Sequence, residues 1–309
     1  MASLWKLGGL SWTALGKRVW SEIQEDEVFG RAAQLAYYFL LALFPLLLFL
    51  TSVIGLLIGS GEGLRNSLFT YLGKVLPSSA LDLVRTTVFE VSTASSGGKI
   101  AFGILAALWA ASNGMGAITQ ALNIAYDVKE SRPWWKQRLT AVNLTIALSV
   151  LIISALLLVL YGGRISEYLA DTYGLADTFT TTWKILQWPL VLAFVLLAFA
   201  LIYYFAPDVK EQKWIWVTPG AVLGVGLWLA VSFGFRIYLH FFDSYSNTYG
   251  TLGAVIILML WLYLTGAAIL IGGEINSEIE HAAAAAGAPG AKAEGEKAPN
   301  QKGNSFRAA

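Results

Sequence analysis

Four residues in one apolar stretch could do chemistry that a membrane does not offer. Asn113, Gly116, Gln120 and Asn123 stand at offsets 0, 3, 7 and 10, which places them on a single helical stripe one turn after Trp109. An amide in hydrocarbon is costly unless water or another polar group meets it. Two readings fit the stripe. It lines a polar cavity, or its amides bond to neighbouring helices while Gly114 and Gly116 permit close approach. A second constellation is charged. Arg31 opens the first apolar stretch, and Glu274 closes the last, with Asn276 just beyond it. Opposite charges at one depth predict an ion pair between the first and last helices, read either as a structural clamp or as a proton-sensitive gate.

These residues need elements to hold them. Hydrophobic residues make up 56% of the 309-residue chain and charged ones 13%, about half the share usual in soluble proteins. Six windows carry no Asp, Glu, Lys or Arg: 32–61, 100–126, 139–163, 185–207, 214–235 and 244–273. A helix needs roughly 20 apolar residues to cross the hydrocarbon. The expected fold is an all-α bundle with six transmembrane helices, at about 33–58, 100–125, 139–162, 185–206, 214–236 and 249–273. Runs such as Leu46-Leu47-Leu48-Phe49-Leu50 do not alternate as a β-barrel requires.

Charge sets the expected orientation. Lys6, Lys17, Arg18, Arg31, Lys129, Arg132, Lys136, Arg138, Lys210, Lys213, Lys292, Lys297, Lys302 and Arg307 fall on one side of such a bundle. Only Arg65, Lys74, Arg85, Lys99, Arg164, Lys184 and Arg236 fall on the other. The bias predicts cytoplasmic N and C termini. Gln34, Tyr38, Gln120, Asn123, Asn143, Tyr203 and Tyr204 then share the cytoplasmic half of the spans, so a cavity opening toward the cytoplasm is expected. All of these but Tyr203, together with Asn113, form the candidate lining.

Outside the spans the chain divides simply. Residues 1–30 predict an amphipathic segment, with Trp12, Leu15, Val19 and Ile23 on one stripe. It lies on the membrane surface or packs against the bundle. Residues 31–280 form the transmembrane domain. Two amphipathic helices are expected on the far side within about 62–95. Residues 281–309, rich in Ala, Gly, Pro, Lys and Glu, read as a disordered cytoplasmic tail.

Several activities lack their residues. There is no cysteine, and only His240 and His281. No metal site, cofactor or catalytic set is expected, and no phosphate-binding loop of an ATPase occurs. With net charge +1, nucleic acid is not an expected partner. Membrane lipids are, with a lipid or small-molecule substrate and a homo-oligomer left open.

Several segments stand in order along the chain: Ala33-Gln34-Leu35-Ala36-Tyr37-Tyr38 with Leu43-Phe44-Pro45; Trp109 with Leu122-Asn123-Ile124-Ala125-Tyr126; Tyr204 with Pro207; Pro219-Gly220-Ala221; Tyr249-Gly250-Thr251-Leu252-Gly253-Ala254; Trp261-Leu262-Tyr263; and Gly272-Gly273-Glu274-Ile275-Asn276. Together they resemble the YihY/BrkB family of bacterial inner-membrane proteins. The likeness runs from about residue 20 to 280. It implies six helices in the inner membrane. Members have carried the label ribonuclease BN, and others have been tied to serum resistance and virulence or proposed to move lipids or envelope components. The likeness brings no catalytic residues. Residue inventory and resemblance together favour a transporter or a lipid or envelope-component translocator over a structural or interaction protein of envelope assembly. A ribonuclease is the least favoured reading.

Overall fold

The computed structural model describes residues 4–58, 66, 69–70, 85–86, 97–173, 177–209, 218–241 and 244–287. All regular structure among them is helical. A 3₁₀ turn, Leu4–Gly9, leads into α1 (Trp12–Glu25), α2 (Val28–Ile58), α3 (Gly97–Ala125), α4 (Trp134–Tyr173), α5 (Asp177–Phe205), α6 (Pro219–Phe241) and α7 (Ser244–Ala285). Stretches of α3 to α7 are long and apolar enough to cross a membrane, five in all among the described residues. The apolar part of α2 counted on the same basis is the shorter Val28–Leu43, although the helix itself has 31 residues.

Local chemistry sets the helix ends. Ser11 caps α1 by accepting a hydrogen bond from the Ala14 amide at 3.2 Å. The end of α3 is closed by Asp127 in the left-handed region, with Val128 N–H donating to Asn123 O and Asp127 N–H to Ile124 O, both at 2.8 Å. Pro219 occupies the first turn of α6, where its missing N–H costs nothing, and Thr218 Oγ1 accepts from Ala221 N–H at 3.1 Å. Pro45 and Pro189 sit inside α2 and α5, positions that helices packed in a membrane tolerate.

The main core gathers at the end of the bundle that carries α1. Leu35, Leu122, Tyr203, Ala221, Leu270 and Ile279 are buried there. A smaller apolar cluster, Phe49, Leu108 and Ile153, joins α2, α3 and α4 nearer the opposite end.

Several helices outrun their expected bounds. Residues 164–173 continue α4 and 177–184 begin α5, where a connection was expected; Lys184 and Glu167 pair at 3.0 Å across them. The last helix passes residue 273 and runs to Ala285, into the segment expected to be disordered from 281. The cause is the N-terminal segment, which covers it. Leu15, Val19 and Ile23 of α1 are buried in one core with Ile279, while Trp12 of the same predicted stripe is 65% exposed. Gly8 has φ +61° and lies so near α7 that a Cβ would meet Ile279 O at 2.6 Å. Of the two placements left open for residues 1–30, packing on the bundle describes α1. The expected far-side helices within 62–95 fall almost wholly outside the described residues, as does the tail from 288 onward.

Candidate functional site: a polar cleft between three helices

A cleft of about 390 Å³ opens between α2, α3 and α4 in the half of the bundle nearer α1. Tyr38, Leu41, Ala42 and Pro45 of α2 form one wall. Asn113, Gly116, Ala117 and Gln120 of α3 form the floor, and Trp134, Gln137, Arg138 and Ala141 of α4 face them. Tyr38, Leu41 and Trp134 are exposed, as are Asn113 and Gln120, so the cleft opens on the flank of the bundle. Toward the opposite end, the Phe49–Leu108–Ile153 cluster fills the same three-helix junction.

Arg138 dominates the cleft. Its Nη1 donates to Asn113 Oδ1 at 2.7 Å, its Nη2 donates to Trp109 O, and its Nε–H is buried without an acceptor. The guanidinium carbon stands 3.9 Å from the centroid of the Trp109 ring, a close cation–π stack. Gln120 makes no hydrogen bond within the protein among the described residues. Gly116 is open: a Cβ there would meet nothing within 4 Å.

The predicted lining thus separates. Tyr38, Asn113 and Gln120 meet in the cleft. Gln34 and Asn143 are exposed and lie outside it, and Tyr204 is stacked edge-on against Phe205 with ring centroids 4.7 Å apart. Asn123 belongs elsewhere, although it shares the stripe. It is 4% exposed, donates to Glu130 Oε2 at 2.9 Å and accepts from Asp208 N–H at 2.7 Å. Arg132 completes this clasp: Nε donates to Glu130 Oε1 at 2.7 Å and Nη2 to Ala206 O at 2.9 Å. Ser131 N–H donates to Asp208 Oδ2 at 2.8 Å. Burial works to raise the Glu130 carboxyl, but hydrogen bonds from Arg132 and Asn123 hold it below the ordinary range. The clasp ties the ends of α3 and α5 to the α3–α4 connection.

Asn276 is likewise consumed by packing. Its Oδ1 accepts from Gly220 N–H at 2.9 Å, and its Nδ2 donates to Thr218 Oγ1 at 3.0 Å. Tyr203 donates to Ile269 O at 2.8 Å. Here α6 and α7 touch backbone to backbone: a Cβ on Gly220 would meet Gly272 O at 2.1 Å.

The expected ion pair is corrected. Arg31 Nε donates to the Asp26 carbonyl at 2.6 Å, and no Arg31–Glu274 bridge forms among the described residues. Glu274 is 1% exposed, and its Oε1 is buried without a hydrogen-bond partner among the described residues. The reason is the return of the chain at Asp26–Glu27, which sets the acidic end of α1 over α7 and turns Arg31 to the end of α1. Burial, and then neighbouring carboxylates, push the Glu22 carboxyl up to about 6; burial and Asp127 do the same for Asp26. Arg18 lies 3.6 Å from Glu278, and His281 Nδ1 lies 3.4 Å from the same carboxylate.

Sequence reading counted Arg138 only as a topogenic charge. The signal available was its place four residues after Trp134, on one face of the same helix.

A helical bundle with five membrane-length apolar helices among the described residues defines a multi-pass integral membrane protein. Residues 19–297 match the family described as Virulence factor BrkB, and the chain belongs to that family. It is 40% identical over 261 residues, 84% of this chain and 93% of the relative, to YfkH of Bacillus subtilis (strain 168), which is named a ribonuclease-like protein. It is 25% identical to a UPF0761 membrane protein of Xanthomonas oryzae pv. oryzae (strain PXO99A), over 86% of this chain. A UPF0761 membrane protein of Stenotrophomonas maltophilia (strain R551-3) is also 25% identical, again over 86% of this chain. The chain spans 60% and 61% of those two relatives. No solved structure matches it at a significant level.

Proposed function

We propose that this protein is an inner-membrane translocator of lipids or other envelope components, with six spans, cytoplasmic termini and the cleft as its cytoplasm-side cargo site. The cleft carries this reading. Three of the amides and hydroxyls expected in a polar cavity line it, and Gln120 faces it without a partner among the described residues. In this reading α2 is the sixth crossing, its 31 residues being long enough for a tilted span. The Phe49–Leu108–Ile153 cluster is then the closed outer side. No hydrolytic step is part of the reading, and purified protein is expected not to cleave RNA above background.

The alternative, a structural or interaction protein of envelope assembly, draws on the satisfied amides of Asn123 and Asn276. Replacing Gln120 by Leu separates the two. As a cargo contact, Gln120→Leu abolishes complementation of a deletion strain and leaves the melting temperature nearly unchanged. Full complementation by Gln120→Leu would remove the translocation reading's best residue.

A further inference from the structure

The cleft holds a cation with no anion beside it. Arg138 is the one charged residue among the cleft's fourteen lining residues, and no carboxylate pairs with it among the described residues. A guanidinium drawn partly out of water is stable where its donors are met, and a planar fork is best met by a phosphate or carboxylate. The protein meets it only in part. Asn113 Oδ1 and Trp109 O accept from the two terminal nitrogens, and the Trp109 ring covers one face. The Nε–H stays buried without an acceptor.

We propose that the cleft binds the anionic headgroup of an amphiphile, the headgroup's phosphate or carboxylate on Arg138 and its apolar chain along Leu41, Ala42 and Pro45. This rests on reading the cleft as the cargo site, and adds the cargo's chemistry. The contacts that fix Arg138 also aim it. Asn113 and the Trp109 stack hold the guanidinium plane, so an arriving anion does not have to order the side chain. Gln120 and Tyr38 offer neutral donors for the remainder of a headgroup. The depth is also right for one. Arg138 lies in the second turn of α4, close behind Trp134 and Trp135, which are 69% and 56% exposed in the manner of residues anchoring a bilayer interface. The wall beside it is apolar and opens on the exposed Leu41. A soluble anion has no use for such a wall, whereas an acyl chain does. Gly116 keeps the floor clear.

The test uses the full chain, purified in dodecylmaltoside and titrated with dioleoylphosphatidylglycerol, dioleoylphosphatidylcholine or inorganic phosphate, with binding read as a rise in melting temperature. The anionic lipid should stabilise the wild type, and the zwitterionic lipid and phosphate should do so far less. Arg138→Gln should weaken the anionic lipid about tenfold or more, the loss of a charge-assisted hydrogen bond. Because that change also frees Asn113, a second variant leaves Arg138 in place: Gly116→Leu, at a position where a Cβ meets nothing within 4 Å, puts apolar bulk on the floor and should block binding while the lipid-free protein melts as the wild type does. Lys136→Gln, outside the cleft, should bind as the wild type does. Equal stabilisation by phosphatidylcholine, the same gain from phosphate alone, or undiminished binding in Gly116→Leu would overturn the proposal. Failure here and failure of the cargo-site reading differ: if Gln120→Leu still abolishes complementation while no anionic lipid binds, the cleft carries a cargo of another class.

Discussion

The cleft between α2, α3 and α4 and the seam between α6 and α7 are built from the same residue types to opposite ends. Both use amides and glycines inside apolar helices. In the seam Asn276 spans Gly220 and Thr218, Tyr203 bonds Ile269, and the two helix backbones touch. In the cleft, among the described residues, Gln120 has no partner, Arg138 keeps a donor unmet, and Gly116 faces open space. A polar residue in a membrane span therefore says little about its role. What decides is whether the surrounding protein closes on it. The stripe of α3 shows this within one helix, since Gln120 faces the cleft while Asn123, three residues on, is locked in the clasp.

Substitutions in the seam should do the most damage. Gly272→Ala would place a Cβ 2.2 Å from the Tyr203 hydroxyl and 2.8 Å from Gly220 O. Overpacking of this kind costs about 1–3 kcal/mol or more, and the melting temperature in detergent should fall sharply. Gly116→Ala, with nothing within 4 Å of the new Cβ, should melt as the wild type does. Equal melting of the two variants would erase the distinction between seam and cleft.

The clasp comes next. Asn123→Leu leaves Glu130 and the Asp208 amide each short of a partner, at a cost of about 1–3 kcal/mol. Arg132→Ala strands Glu130 and Asp208 in the same network, so the double variant should lose less than the sum of the single losses. Additive losses in melting temperature would show that the clasp is not one unit.

The acidic corner gives a smaller effect, with a definite sign. The folded protein holds Glu22 and Asp26 near 6, above their ordinary values, so it favours their protonated forms. Their contribution is greatest at pH below about 4, where both states are protonated. It declines as the pH rises through 6. The melting temperature should rise as pH falls from 7.5 to 5, and Asp26→Asn should flatten that slope. A slope unchanged by Asp26→Asn would place the titration elsewhere. Gln120→Leu should also change stability little, within about 0.5 kcal/mol, because the side chain is exposed and makes no hydrogen bond among the described residues.

The helical membrane architecture was legible because it rests on long uncharged windows, which composition alone exposes. A part of the cleft was legible too: Tyr38, Asn113 and Gln120 of the candidate lining meet there, and Asn113, Gly116 and Gln120 share a stripe whatever packs around them. The rest depended on partners far away in sequence. Asn123 meets Asp208, 85 residues on. The Arg31–Glu274 pairing failed because charge and depth do not reveal how the chain turns at Glu27, whose φ is +51°. The reach of α7 past 273 depended on Gly8, which no pattern within α7 announces.

The chain's lack of cysteine permits one decisive measurement. Gln120→Cys and Asn276→Cys can each carry the protein's sole thiol, and a membrane-impermeant maleimide can be applied separately to either face of sealed vesicles. The account predicts that Gln120→Cys reacts from the cytoplasmic face, while Asn276→Cys, on a helix face packed against α6, resists from both. Reaction of Asn276→Cys with an inert Gln120→Cys, or labelling of Gln120→Cys only from the periplasmic face, would contradict it.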